Sequence, residues 1–205
     1  MSGAANCPET PRQKMIGMMY LVLTAMLALN VSASILEGFS LVDSSLHTTI
    51  SSTEMRNKSL YDDFKDAFDK NPAKVKEWLD KANEVKKKSD DLFLYIEGFK
   101  RDIVRLSDKE EANDSAYVRQ MLVKDNLDIA GEYALQKGNA KILKKKIEEY
   151  RNFLISTSSN NPKKQKIYNS IFSTDKVKTK DSYIPWEISL FESIPISAVN
   201  TVLTK

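Results

Sequence analysis

The sequence predicts an all-α protein: one N-terminal transmembrane helix continuing into an antiparallel helical bundle of about four main helices. Three observations point there. From Met15 to Leu36 no residue is charged, although charged residues make up 29% of the chain. Beyond that stretch, apolar residues recur every three or four positions through runs rich in Lys, Glu, Leu and Ala, the pattern of amphipathic helices. Gly and Pro number six each, few for an all-β chain of 205 residues.

The first element starts at Thr10-Pro11. Thr10 suits the N-cap, Pro11 the first helical position, and Gln13 follows Thr10 by three as in a capping box. As a helix, Met15 to Leu36 would measure ~33 Å, a match for the ~30 Å hydrocarbon core of a bilayer. Residues 11–36 are therefore read as a transmembrane helix, 1–10 as a cytoplasmic tail and 37–205 as a domain on the far side. A cleaved signal peptide is the rival, with Arg12 and Lys14 as its basic flank and Val31-Ser32-Ala33 as its cutting site. The uncharged run is longer than a usual signal core and continues through Ile35, Leu36 and Phe39, which favours the span. Arg12 and Lys14 precede it and Glu37 follows, so the positive-inside rule leaves the N-terminus in the cytoplasm. In a Gram-negative cell the rest of the chain would be periplasmic.

This span is more than a greasy anchor. Gly17, Thr24, Ala28 and Ser32 form a narrow stripe of small or weakly polar residues, the kind that lets membrane helices approach closely. Tyr20 and Asn30 need hydrogen-bond partners if they leave the headgroup region. Met15, Met18, Met19 and Met26 can adapt to more than one packing partner. Arg12, in the first turn, admits two readings: a snorkelling charge that sets topology, or half of an ion pair with a carboxylate on a neighbouring membrane helix. The second needs another subunit, because the stretch itself holds no acid.

The domain follows in order. Ile35, Phe39, Val42, Leu46, Ile50 and Thr53, then Leu60, Phe64 and Phe68, make one stripe with no Gly-Pro break after the span. A continuous helix is expected there, stiff enough to transmit torque, with Gly38 as its soft point. Asn71-Pro72 reads as N-cap and first turn of a second helix, whose stripe runs from Val75 through Leu92, Ile96, Phe99 and Ile103 to Leu106. Ser107 to Ser115 reads as a polar turn, and Tyr117 to Gly138 as irregular, holding a short helix or an extended excursion. A third long helix is expected from about Asn139, with Leu143, Ile147, Tyr150 and Leu154 on one face. A loop, a short helix over Lys163 to Phe172, a polar loop over Thr174 to Tyr183 and a last helix opened by Pro195 complete the bundle.

Composition narrows the function. One Cys (Cys7) and one His (His47) leave no disulfide framework, no Cys/His metal site and few nucleophile–base pairs. Cys7 is read as an incidental thiol and His47 as a helix-surface or bundle residue. The pairs Asp90-Asp91, Glu110-Glu111 and Glu148-Glu149 are adjacent, point to different helix faces and read as solvated charges. The runs Lys86-Lys87-Lys88 and Lys144-Lys145-Lys146 alternate with acids and read the same way. With a net charge of only +3, nothing suggests a nucleic-acid partner. No catalytic, cofactor or metal site is expected, and the protein is not read as an enzyme. Trp186 and Phe191 are expected to plug the end of the bundle.

At this point the residues resemble a known family. Pro11-Arg12-Gln13-Lys14-Met15-Ile16, Met19-Tyr20-Leu21-Val22 and Ala25-Met26-Leu27-Ala28-Leu29-Asn30 closely resemble the N-terminus of the GldM family, called PorM in non-gliding relatives. Trp186-Glu187, Phe191, Pro195, Ala198-Val199 and Val202-Leu203 look like the end of that family's first periplasmic domain. The resemblance implies an inner-membrane motor component of the Bacteroidetes type 9 secretion system. In such a motor, two GldM helices sit as a dimer inside a ring of five polytopic GldL subunits. The proton-motive force then drives periplasmic components for protein export and, in many members, gliding. By the same resemblance, Arg12 faces a buried Glu of the GldL-type subunit, and Tyr20 contributes to the contact between helix and ring. Gly17 departs from the family pattern, standing where many members carry Asn. Members are longer, with β-sandwich domains after the helical one, so a truncated portion is expected. A single-pass sensor with a ligand-binding helical bundle is the alternative; it needs a cytoplasmic output module, which residues 1–10 do not supply.

Overall fold

A computed structural model of the chain describes residues 10–29, 33–109, 117–158, 161–180 and 182–205. It is mostly helical. Helix α1 spans Pro11–Leu29, α2 Ala33–Lys70 and α3 Pro72–Asp108. A 3-10 turn at Val118–Gln120 leads to the short α4, Ile129–Gly131, which runs into a π-helical turn at Glu132–Gln136. Helices α5 (Asn139–Thr157) and α6 (Pro162–Ile171) follow. After them come strands β1 (Val177–Lys178) and β2 (Tyr183–Ile184), then α7 (Trp186–Phe191) and α8 (Ile196–Thr204).

The caps explain why the helices begin where they do. The Gln13 amide donates to the Thr10 hydroxyl at 3.4 Å, so Thr10 caps α1 as its sequence predicts. Asn71 caps α3 by accepting from the Lys74 amide at 3.4 Å, with Pro72 in the first turn. Asn161 caps α6 through the amides of Lys163 and Lys164 at 3.1 and 3.3 Å. Gly138 opens α5 with φ of +76°, a left-handed conformation that glycine adopts without a Cβ penalty. Helix α8 lacks a side-chain cap. Its first donors are met by chain instead: Ile196 N–H by the Asn126 carbonyl at 3.1 Å and Ser197 N–H by that of Lys124 at 3.2 Å.

Helix α2 runs unbroken for 38 residues, a rod of ~57 Å, and Gly38 does not interrupt it. It turns at Asn71 into α3, and the two pack as an antiparallel pair. Tyr61 ties them by donating to the Ala82 carbonyl at 2.7 Å. The apolar core gathers at the other end of this hairpin. Phe99, Ile103 and Val104 of α3 meet Ala140 and Leu143 of α5, Leu190 and Phe191 of α7 and Ile196 and Val199 of α8. Phe191 packs against Phe99 and, edge-on, Trp186, so these aromatics close the bundle as expected.

Several sequence expectations need correction. Leu106 is exposed, while Ser107 and Asp108 beside it are buried in the last turn of α3; the rest of the expected polar turn, beyond Lys109, lies outside the described residues. The Asp108 carboxylate accepts from the amides of Leu122 and Val123 at 3.0 and 3.1 Å, which makes it an anchor for the irregular segment. The segment expected as a polar loop from Thr174 to Tyr183 carries, with Ile184, a two-residue antiparallel strand pair joining Val177 to Ile184, while the fold class stays all-α. Helix α7 was not anticipated. Lys144 and Glu148 are half-buried rather than solvated, because Lys144 pairs with Glu187 at 3.3 Å and Glu148 accepts from Thr174 at 2.7 Å. Glu110-Glu111 and Cys7 lie outside the described residues.

Among the described residues no helix is long and apolar enough to cross a membrane. Helix α1 opens on Arg12, Gln13 and Lys14, and only the part of the uncharged stretch from Met15 to Leu29 falls within it. The rest of that stretch lies in 30–32 and at the start of α2. The expected continuity between span and domain therefore falls on 30–32, outside the described residues.

Candidate functional site

Two regions carry side chains that simple packing does not explain. The first is α1. Of its side chains, those from Pro11 to Met26 are all exposed, including Met15, Met18, Met19, Tyr20 and Leu21. Gly17, Tyr20 and Thr24 are spaced by three and four and so share one helix face. The Thr24 hydroxyl bonds back to the carbonyls of Tyr20 and Leu21 at 2.7 and 3.1 Å. Its proton is thus used within the helix, and the face it leaves to a neighbour is the small, methyl-bearing one. A Cβ at Gly17 would meet nothing within 4 Å, so within this chain the glycine keeps a shallow notch open beside Tyr20. Arg12 lies at the exposed start of the same helix. Ala28 lies in the last turn of α1, whereas Asn30 and Ser32 are outside the described residues.

The second region is a buried polar cluster where α2, α3, α8 and the segment after Tyr117 meet. Lys100 is fully buried, and its ammonium donates to Glu97 and to the Thr204 hydroxyl, both at 2.7 Å. The Thr204 oxygen lies 3.0 Å from Asp43 Oδ1 and 2.9 Å from the Asn200 carbonyl, with one proton to share between them. Asp43 is buried too, and its Oδ2 accepts from the Val118 amide at 3.1 Å. His47, one turn along α2, packs at a tilt against Tyr117 with ring centroids 3.9 Å apart, its Nε2 3.7 Å from Asp43. Burial, above all, holds the imidazole below the usual histidine range; Asp43 opposes that, Lys100 reinforces it and Glu97 opposes it. Ser40 completes the edge by accepting from Lys124 at 3.2 Å.

None of Asp43, Lys100 or Thr204 was marked by sequence reasoning. Ser40 and Asp43 are the buried residues of α2, whereas Ile35 and Val42, from the expected apolar stripe, are exposed. The signal available was composition: α8 carries Ser197, Asn200, Thr201 and Thr204 among its apolar residues. A helix buried along most of its length with four such residues must find polar partners.

No catalytic constellation comes together among the described residues. Among the described residues no group of three or more His, Cys, Asp or Glu could hold a metal ion. A groove between α3 and α5, lined by Lys88, Asp91, Tyr150 and Phe153 among others, has about 260 Å³, below the ~300–1,000 Å³ usual for ligand pockets.

The described residues thus form a long helical hairpin closed by a small core, with an exposed apolar helix ahead of it in the chain. The GldM N-terminal domain family matches residues 34–205, and the chain belongs to that family. It is thereby a machinery component related to gliding motility and type 9 secretion. The match starts one residue into α2, so α1 and Arg12 lie ahead of it. No curated protein matches the chain.

Proposed function

We propose that the chain is an inner-membrane subunit of a motor driven by the proton-motive force, with the uncharged stretch from Met15 to Leu36 as its transmembrane part. Two such helices sit as a dimer inside a ring of polytopic GldL-type subunits, and the domain from Glu37 onward works in the periplasm. Motion of the span passes along α2 into the bundle and on to periplasmic components for type 9 secretion or gliding. The observation that supports this reading best is the order of parts. An apolar helix with exposed side chains stands directly ahead of a domain of the GldM family. Exposure of that many large apolar side chains is costly in water and favourable in lipid or against other membrane helices.

Within the motor, Arg12 is the group that meets the ring. An arginine keeps its charge under all cellular conditions and can hold a carboxylate bidentately. A carboxylate that binds a proton loses that pairing, so proton passage can alternately engage and release the helix. Tyr20, with the Gly17 notch and the methyl face of Thr24, supplies the packing contact one to three turns away. This chain contributes position and charge; the proton-carrying acid belongs to the partner.

Arg12→Ala tests the reading. The variant is expected to co-purify in mild detergent with a polytopic subunit present in excess over this chain, while export and surface movement fall to background. Normal export by the variant would reduce Arg12 to a topology signal. Recovery of the wild-type chain as a lone monomeric span would remove the ring from the account.

A further inference from the structure

The buried cluster joins two elements that are far apart in the chain. Asp43 lies in the third turn of α2 and Thr204 in the last turn of α8, with Lys100 of α3 between them. Apolar packing would hold α8 in its groove yet tolerate sliding or rotation, since it has no direction. A hydroxyl held at 2.7 Å by a buried ammonium and at 3.0 Å from a buried carboxylate has direction. Moving α8 by one residue would leave Asp43 and Lys100, both within 1% of full burial, short of a partner in a low-dielectric interior. The cluster therefore sets an energetic stop against relative motion of α2 and α8. Thr201, one turn earlier, adds a weaker contact to the Phe39 carbonyl at 3.4 Å.

We propose that the Asp43–Thr204–Lys100 relay is a mechanical joint: it locks α8 to α2 in rotation and in register, so that movement of α2 is handed on to α8 rather than dissipated in the bundle. The proposal rests on the reading that α2 is driven from the membrane. Asp43, Lys100 and Thr204 are positioning residues, and no proton or bond changes hands at them. Removing one partner of such a buried contact leaves the other charge uncompensated, which is what opposes a shift in register.

Thr204→Val is the sharpest probe, because it keeps the side-chain shape and deletes the shared hydroxyl. Hydrogen exchange on the full chain in detergent is expected to show the α8 amides after Ala198 exchanging about tenfold faster, with the Ile103 and Leu143 regions unchanged. In cells, export is expected to fall while the protein still assembles with its membrane partners. Thr204→Ser, which restores the hydroxyl, should recover both readouts. Unchanged exchange in α8 would overturn the joint whatever happens to export. Faster exchange with normal export would overturn its role in transmission. Failure of the underlying motor reading shows separately: there, Arg12→Ala also exports normally, whereas loss of export in Arg12→Ala alone leaves the motor standing and removes only the joint. Loss of helical signal or of protection throughout Thr204→Val would transfer the test to Asp43→Asn, which keeps the shape but weakens the acceptor; wild-type α8 exchange there would count against the joint.

Discussion

Asp43 and His47 lie four residues apart on α2, and their surroundings give them opposite problems. Asp43 is buried and satisfied by a backbone amide and the Thr204 hydroxyl. The His47 Nε2 is buried with no hydrogen-bond partner, and its ring rests on Tyr117. The charged groups around it are Asp43 on its own helix and Lys100 and Glu97 on α3. Because burial lowers its folded-state pKa beneath the ordinary value of 6.5, the unfolded chain binds the proton more tightly. Stability should thus be fullest above pH 6.5 and should decline as pH falls from 6.5 through the lower folded-state pKa. Melting temperatures between pH 7.5 and 5.5 are expected to show that decline, and His47→Gln to flatten it. As this is the only histidine, no other imidazole can supply the slope. A pH-independent wild type would show that the ring is better solvated than its packing implies. Sequence reasoning placed His47 on a helix surface or in the bundle, and it lies at the border of the two. Its link to Asp43 was not visible, because spacing by four is as common among solvated residues as among buried ones.

The long helices were legible because their signals are local. Asn71-Pro72, Gly138-Asn139 and Pro195 mark starts that depend on a cap, a left-handed turn or a fixed φ, and each opens a helix where expected. The inner face of α2 was legible only in part: Phe39, Leu46, Ile50 and Phe68 of the expected stripe are half-buried, whereas Ile35 and Val42 are exposed. Hydrophobic periodicity selects Ile35 and Val42, yet α8 bonds to α2 through Thr201 at the Phe39 carbonyl and Thr204 at the buried Asp43. A partner more than a hundred residues away decides that, and no window along α2 contains it. The same holds for Asp108, whose role depends on the amides of Leu122 and Val123, more than a dozen residues further along the chain. Gly38 offers a test of α2 as a rod. It is helical, and a Cβ there would meet nothing within 4 Å. Gly38→Ala is expected to stabilise the chain by about 0.5–1 kcal/mol in denaturant titration, since alanine loses less freedom in a helix. A loss of stability would show that the glycine serves a close approach by another chain. If motor function needs a stiff α2, export should survive the change; if it needs a hinge at Gly38, export should fall although stability rises.

Under the proposed motor reading, the parts act as a lever with a fixed joint. Helix α1 offers an exposed apolar face with a single arginine at its start, α2 is an unbroken rod, and α8 is bound to that rod through buried polar contacts. The chain was recognisable from sequence as GldM-like through a long motif over residues 11–30 and a weaker one over 186–203; the family match over 34–205 takes in the second and leaves the first ahead of it. Motor action requires the front segment to be a working part of a membrane machine rather than an interchangeable anchor. Replacing residues 11–32 with an unrelated transmembrane helix of equal length, with Lys in place of Arg12, separates the two. The chimera is expected to reach the inner membrane and fold its domain normally, yet to support no type 9 export and no gliding. Export at the wild-type rate would contradict the account, because any greasy helix would then suffice.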